Sequence, residues 1–119
     1  MATAPTDEAA VRKAVQDWAR AWSNKQTDTY IATYAPGFSG GEGSASAWQA
    51  ARRVRITGKK DIDVGVSDLK LSGDKTKWSA TFTQSYSADS LSLVSRKTLD
   101  FELRGGRWLI VRENNGKGR

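Results

Sequence analysis

The sequence predicts an α+β domain in which two or three N-terminal helices pack on a curved four-stranded antiparallel sheet. Apolar residues recur with helical spacing near the N-terminus, whereas the second half of the chain alternates between apolar and polar residues with a period of two. Turn signals divide that half into four strands. Helices followed by strands are typical of α+β domains. Long strands joined by tight hairpins curl, so we expect a cone-shaped cavity between the sheet and the helices.

Three segments near the N-terminus are predicted to be helical. The first begins at Thr6 or Asp7, either of which can cap it. Its apolar face is formed by Val11, Val15, Trp18 and Trp22. A second helix is predicted over residues 27–34 and ends before Pro36. A third is predicted over residues 46–57, after a glycine-rich loop.

The third helix carries arginines on its apolar face. Arg55 falls within the apolar arc and Arg52 lies between Trp48 and Ile56, whereas Arg53 points away. A buried guanidinium without a partner is very costly. We therefore expect Arg52 and Arg55 either to meet a carboxylate or to line a wet cavity.

The strands follow from alternation and from the turns between them. The apolar positions change parity between Val66 and Leu69, which predicts a bulge near residues 67–68. Turns are predicted at residues 72–75 and 88–90, and Gly105-Gly106 is a two-residue hairpin signal. The last strand is predicted over residues 108–113. The two central strands share an apolar inward face formed by Trp78, Ala80, Phe82, Leu99, Phe101 and Leu103.

Towards the turn between the central strands, this inward face becomes polar. The first interpretation is a ligand-binding pocket with a positive floor, suited to a carboxylate or an acidic sugar. Its lining is predicted to consist of Arg52, Arg55, Gln84, Tyr86, Lys97, Trp48 and Tyr34. A second interpretation is an open rim from which the long cationic side chains reach water. A third is a closed network with Glu113 or Asp17 as the counter-ion.

The composition excludes several kinds of chemistry. With no histidine and no cysteine, the chain lacks the residues of Ser-His-Asp and Cys-His catalysis and of the common zinc and haem sites. We expect no metal and no cofactor. Glu42 and Glu113 are the only candidates for a catalytic base. The net charge of +6 comes without a nucleic-acid-binding motif, so we expect no specific nucleic-acid partner.

The predicted domain covers residues 7–113. Residues 1–6 have neither a basic nor an apolar region of a signal peptide, and we interpret them as a linker or a start. Residues 114–119 form a polar tail. No apolar run is long enough to span a membrane.

The whole pattern resembles the nuclear transport factor 2-like superfamily, which also contains ketosteroid isomerases. It is similar to one bacterial branch, the C-terminal accessory domain of L,D-transpeptidase-like cell-shape proteins. The segments that carry the resemblance are residues 15–25, 28–30, 34–36, 48–56, 82–86, 96–99 and 106–110.

The resemblance implies a non-catalytic accessory domain that binds a ligand or a partner. It also implies an envelope or periplasmic context and homodimerisation through the sheet. The net positive charge separately favours weak attraction to anionic polymers such as cell-wall glycans. Two alternatives remain, a small isomerase- or cyclase-like enzyme with a carboxylate base and a purely structural dimerisation domain. By position, Glu42 lies near the aspartate of those isomerases, but Trp18 stands where they have a tyrosine. Indole cannot replace a phenol as the acidic donor to an oxyanion.

Overall fold

Three helices pack against one face of a four-stranded sheet in the computed structural model, which describes residues 7–40 and 42–115. The elements are α1 (Asp7–Ser23), α2 (Thr27–Ala32), α3 (Ala45–Thr57), β1 (Ile62–Gly73), β2 (Lys77–Ala88), β3 (Leu91–Arg104) and β4 (Arg107–Asn115). The strands lie in the order β1-β2-β3-β4 and every neighbouring pair is antiparallel. The predicted α+β class and cone-like architecture are confirmed. The predicted linker, residues 1–6, lies outside the described residues.

The largest differences between the predicted and the observed element boundaries lie at the ends of α2 and β4. The second helix ends at Ala32 because the next backbone groups pair with β4: Ile110 N–H donates to the Thr33 carbonyl at 2.9 Å, and Ala35 N–H donates to the Ile110 carbonyl at 2.8 Å. At the other end of the chain, β4 includes residues 114 and 115, which were predicted to belong to the tail. The rest of that tail, residues 116–119, lies outside the described residues.

Two irregularities in the sheet set the direction of its side chains. Between β1 and β2 the register shifts from Ser67 to Lys70, where a bulge is predicted, and Asp68 has a positive φ of 53°. Between β3 and β4 a second shift lies at Asp100 and Phe101. It leaves Val111 without a partner on β3, because Asp100 pairs with Arg112 and Phe101 pairs with Ile110.

Aromatic rings fill the closed end of the cone. Trp18, Tyr30 and Phe82 have no exposed surface. The Trp18 ring contacts the rings of Trp22 and Phe82 with centroids 5.4 Å and 5.8 Å apart. Much of the space predicted as a cavity is therefore occupied, and an open groove is left at the end near the β2–β3 turn. Within the described ranges, no helix is both long and apolar enough to span a bilayer.

The third helix contacts the rest of the domain through a narrow stripe. Trp48 and Ile56 are buried, Arg52 lies between them, and Val54 is 72% exposed. Arg55 is exposed as well, so the prediction that it lies inside a covered apolar arc is wrong. The alanine residues of α3 are exposed or only partly buried, so the covered stripe of this helix is narrower than its apolar arc.

Candidate functional site

The candidate site is a groove of about 540 Å³ between α3 and the first half of β3. Its floor is the polar end of the inward sheet face, where Gln84 pairs with Ser95 and Tyr86 pairs with Leu93 across β2 and β3. The residues that line it are Trp22, Arg52, Arg55, Lys59, Gln84, Tyr86, Leu91, Leu93, Val94, Ser95 and Lys97. Four of these side chains are cationic and none is a carboxylate.

A buried carboxylate pairs with two of the cations that line the groove. Glu113 on β4 accepts a hydrogen bond from Lys97 at 2.5 Å and another from Arg52 at 3.3 Å. The side chains of Lys97 and Glu113 are only 5% and 6% exposed. This arrangement matches the closed network that the sequence allowed, with Glu113 as the counter-ion. Asp17 is not part of it and pairs with Lys13 and Arg20 on the surface of α1.

Two tyrosines extend this network into the aromatic core. The Tyr34 hydroxyl donates to Glu113 at 3.1 Å and accepts from the indole N–H of Trp18 at 3.0 Å. The Tyr30 hydroxyl lies 3.1 Å from that of Tyr34 and accepts from Arg52 at 2.6 Å. Three side chains, from the segment after α2, from α3 and from β3, therefore contact one carboxylate, and Trp18 and Tyr30 extend the network one step further.

These contacts explain the direction in which the pKa values of Glu113 and Lys97 are shifted. Burial alone would raise the pKa of Glu113, but the nearby charges of Lys97 and Arg52 outweigh it and lower that pKa. Burial also lowers the pKa of Lys97, and its single anionic neighbour offsets this only in part. Both shifts point downward because Glu113 gains two cations, whereas Lys97 loses water and has other cations nearby.

Tyr30 and Tyr34 are expected to ionise only at high pH. Burial is the main cause that raises the pKa of Tyr30 to about 12, from an ordinary value of 10.0. Burial likewise raises the pKa of Tyr34 well above the usual value. A phenol whose pKa is higher in the fold than in the unfolded chain stabilises the fold below pH 10, and this stability is lost between pH 10 and about 12.

An absorbance titration of tyrosinate tests this expectation. We expect Tyr30 and Tyr34 to ionise only as the domain unfolds in alkali, and Tyr30→Phe to move that unfolding to higher pH than in the wild type. Circular dichroism at each pH reports the unfolding. Ionisation of all the tyrosines near pH 10 in a folded chain would contradict the buried network.

The structure brings most of the predicted site residues together. Arg52, Arg55, Gln84, Tyr86 and Lys97 all line the groove. Arg52 and Lys97 also contribute to the buried network, whereas Arg55 forms no ion pair with any residue that the structure describes. The amide oxygen of Gln84 is buried without a hydrogen-bond partner among the described residues.

The two residues predicted as apolar walls lie elsewhere. The rings of Trp48 and Tyr34 pack against each other with centroids 4.5 Å apart, beside Phe38. Trp48 nevertheless contacts one residue of the groove, because the Arg52 guanidinium lies 5.4 Å from the Trp48 ring centroid. This contact and the Glu113 ion pair fix the direction of the Arg52 side chain.

Several lining residues were not predicted from the sequence. Lys59 lies four positions after Arg55, and that spacing could have indicated a shared side of the chain. Leu91 and Leu93 share the parity of Lys97 and Leu99, but they are 43% and 53% exposed and line the groove. Val94 has the opposite parity, and alternation gives no reason to place it in the groove.

The two candidate bases lie in unlike surroundings. Glu42 is exposed in the loop before α3. Glu113 is buried, but two cations lower its pKa, whereas an efficient general base has a pKa near the operating pH. Neither surrounding favours the isomerase-like alternative. No cluster of carboxylates suited to a metal ion occurs among residues 7–40 and 42–115.

The helices, the sheet and the groove at its open end define a small domain of the nuclear transport factor 2-like class. A sequence profile described as the "Cds6 C-terminal NTF2-like domain" matches residues 10–114. The chain belongs to this family. No curated protein matches the sequence significantly.

Solved structures show the same fold. Bd1075 of Bdellovibrio bacteriovorus matches with 21% identity and a TM-score of 0.81, over 89% of this chain and 40% of that one. The helical cell shape determining protein Pgp2 of Campylobacter jejuni matches with 19% identity and a TM-score of 0.64, over 85% of this chain and 38% of that one. An NTF2-like protein of unknown function from Pseudomonas putida matches with 17% identity and a TM-score of 0.76, over 92% and 87%. This chain thus spans about two fifths of Bd1075 and Pgp2.

Proposed function

We propose that this domain is a non-catalytic binding module whose groove between α3 and β3 accepts an anionic ligand. The observation that carries the proposal is the charge of the groove, which has four cationic side chains and no carboxylate among the described residues that line it. Glu113, which pairs with Arg52 and Lys97, compensates one positive charge, so about three remain. Arg55 and Lys59 have no ion-pair partner among the described residues and are available for a carboxylate or a phosphate.

The size and the walls of the groove narrow the class of ligand. A volume of about 540 Å³ lies within the usual range for small-molecule sites, roughly 300–1,000 Å³. Trp22, Tyr86 and Leu93 add apolar surface to a lining that also carries the cations. A ligand with an acidic group and an apolar or ring-shaped body, such as an acidic sugar, would suit this mixed lining.

The relatives suggest a setting for this binding. Pgp2 is described as a helical cell shape determining protein, and this chain corresponds to 38% of it. We infer an accessory role in which another domain or protein performs catalysis. An envelope or periplasmic location and a cell-wall glycan as the source of the acidic sugar are part of the same proposal.

The test is a titration of the isotope-labelled domain with N-acetylmuramic acid, followed by NMR. We expect shifts at the groove residues, and about tenfold weaker binding for Arg55→Ala, because a hydrogen bond to a charged group contributes about 1.5–3 kcal/mol and Arg55 is exposed. Arg53→Ala is the matched control, since Arg53 is on the same helix, is exposed and pairs with Asp28 away from the groove.

A neutral sugar controls for the role of charge. N-acetylglucosamine shares the ring and the acetamido group of the acid and should bind more weakly by a similar factor. Equal binding of the two sugars, or equal losses in Arg55→Ala and Arg53→Ala, would overturn the proposal of an anion site.

Homodimerisation through the outer face of the sheet stays a prediction. That face of β2 carries short side chains, Ser79, Thr81, Thr83 and Ser85, which leave a flat surface. Light scattering over a range of concentrations tests it. A constant monomer mass would exclude the dimer and with it the purely structural alternative.

A further inference from the structure

Gln84 lines the groove with an amide that nothing in the described chain holds. The residue is only 8% exposed, and its amide oxygen accepts no hydrogen bond from any residue that the structure describes. Buried polar side-chain atoms are nearly always paired, so an unpaired one beside a groove calls for a partner from outside the chain. The oxygen is covered in the free domain, but the last torsion of a glutamine side chain is broad, which lets the amide turn towards a ligand.

An aromatic pair lies next to this amide. Tyr86 follows Gln84 by two residues on the same face of β2, and both residues line the groove. The Tyr86 ring packs against the ring of Trp22, which also lines the groove, with the two centroids 5.2 Å apart. The groove therefore offers an uncommitted amide and apolar ring surface side by side.

The cations of the groove adjoin Tyr86. Burial raises the pKa of the Tyr86 hydroxyl and the positive charge of Arg55 opposes this rise, so Arg55 lies close to that hydroxyl. Consecutive residues of a strand are about 3.3 Å apart, which separates Gln84 from Tyr86 by roughly 7 Å along β2. A group bound at Gln84 and an anion bound at Arg55 are therefore about one sugar ring apart.

Resting on the anion site proposed above, we propose that the groove recognises an N-acetyl group on an acidic sugar, with Gln84 as the specificity-determining residue. The N–H of the acetamido group donates to the Gln84 amide oxygen, and its methyl group packs against Trp22 and Tyr86. The anionic group of the same sugar pairs with Arg55 and Lys59. An acetamido group suits this position because it joins a hydrogen-bond donor to an apolar end.

The test compares N-acetylglucosamine 6-phosphate with glucose 6-phosphate by calorimetry on the full chain. The two sugars share the ring and the phosphate, and differ only at carbon 2, which carries an acetamido group in one and a hydroxyl group in the other. We expect the acetamido sugar to bind about tenfold more tightly, because it adds one hydrogen bond to a buried group and one apolar contact. In NMR spectra, the side-chain amide signals of Gln84 should shift more with this sugar.

A variant of Gln84 shows whether the preference arises at this residue. Gln84→Met keeps a similar length without the amide, so it should bind both sugars with about the affinity that the wild type has for glucose 6-phosphate. Gln16→Met is the matched control and should keep the preference, because Gln16 is exposed on α1 and does not line the groove. Equal binding of the two sugars by the wild type, or an undiminished preference in Gln84→Met, would overturn the proposal.

The same measurements separate this proposal from the anion site on which it rests. The comparison of the two sugars on the wild type is independent of how well any variant folds. If both sugar phosphates bind equally well and Arg55→Ala weakens both, only the N-acetyl site fails. If neither of them binds, and N-acetylmuramic acid does not bind either, both proposals fail.

Discussion

Replacing Glu113 with alanine is expected to lower the free energy of unfolding by about 3–5 kcal/mol, because it leaves the buried charges of Lys97 and Arg52 without their counter-ion. Urea denaturation followed by circular dichroism measures the change. Glu102→Ala is the matched control, since its pair with Arg104 is half-exposed and such pairs contribute about 0–1 kcal/mol. A loss below about 1 kcal/mol for Glu113→Ala would show that the network contributes little.

A double variant distinguishes the net contribution of the Lys97–Glu113 pair to stability from the cost of leaving one buried charge without its partner. Lys97→Met combined with Glu113→Leu removes both charges and keeps similar volumes, and buried pairs replaced in this way often lose little stability. We expect it to recover only part of the loss, because Arg52 keeps its charge and still lacks its counter-ion.

The effect of pH on the stability that Glu113 contributes has a definite sign. The pKa of Glu113 is lower in the fold than its ordinary 4.5, so its contribution is present above that pH and is lost as the pH falls.

Trp18→Ala is expected to cost about 3–5 kcal/mol, the usual range for removing a large aromatic side chain from a core. Trp18 has no exposed surface and packs edge-on against Trp22 and Phe82. Its indole N–H also donates to Tyr34, so the variant removes one polar contact of the network. The same denaturation experiment measures the loss.

Two further variants help to interpret the stability loss expected for Trp18→Ala. Trp108→Ala removes an equal side chain from a half-buried position and should cost clearly less. Trp18→Phe keeps most of the ring but leaves the Tyr34 hydroxyl without the indole donor, and a lost hydrogen bond of this kind costs about 1–2 kcal/mol. Equal losses for Trp18→Ala and Trp108→Ala would contradict the central position of Trp18 in the core.

The elements of this fold are readable from the sequence because each is locally determined. The spacing of Val11, Val15 and Trp18 defines α1, and alternation defines the long strands. The end of α2 was predicted two residues too late. Its termination depends on backbone hydrogen bonds to Ile110, which is distant in sequence, so local patterns contain no sign of it.

The counter-ion of Lys97 could not be chosen from the sequence because it depends on a bulge. If side chains alternated regularly after the buried Ile110, Arg112 would face inward and Glu113 would face outward. The unpaired Val111 reverses this parity, so that Glu113 lies opposite the buried Leu99 and reaches Lys97. A period of two contains no information about where one extra residue is inserted.

The late position of Glu113 in the chain has a consequence for synthesis. The side chains that surround it, on α1, α2, α3 and β3, all leave the ribosome before it does. Until β4 is complete, Lys97 and Arg52 have no carboxylate to meet and retain their water, so the helices cannot close over the sheet. The domain should therefore reach its native state only once β4 is available, and a nascent chain stalled before β4 should remain sensitive to protease.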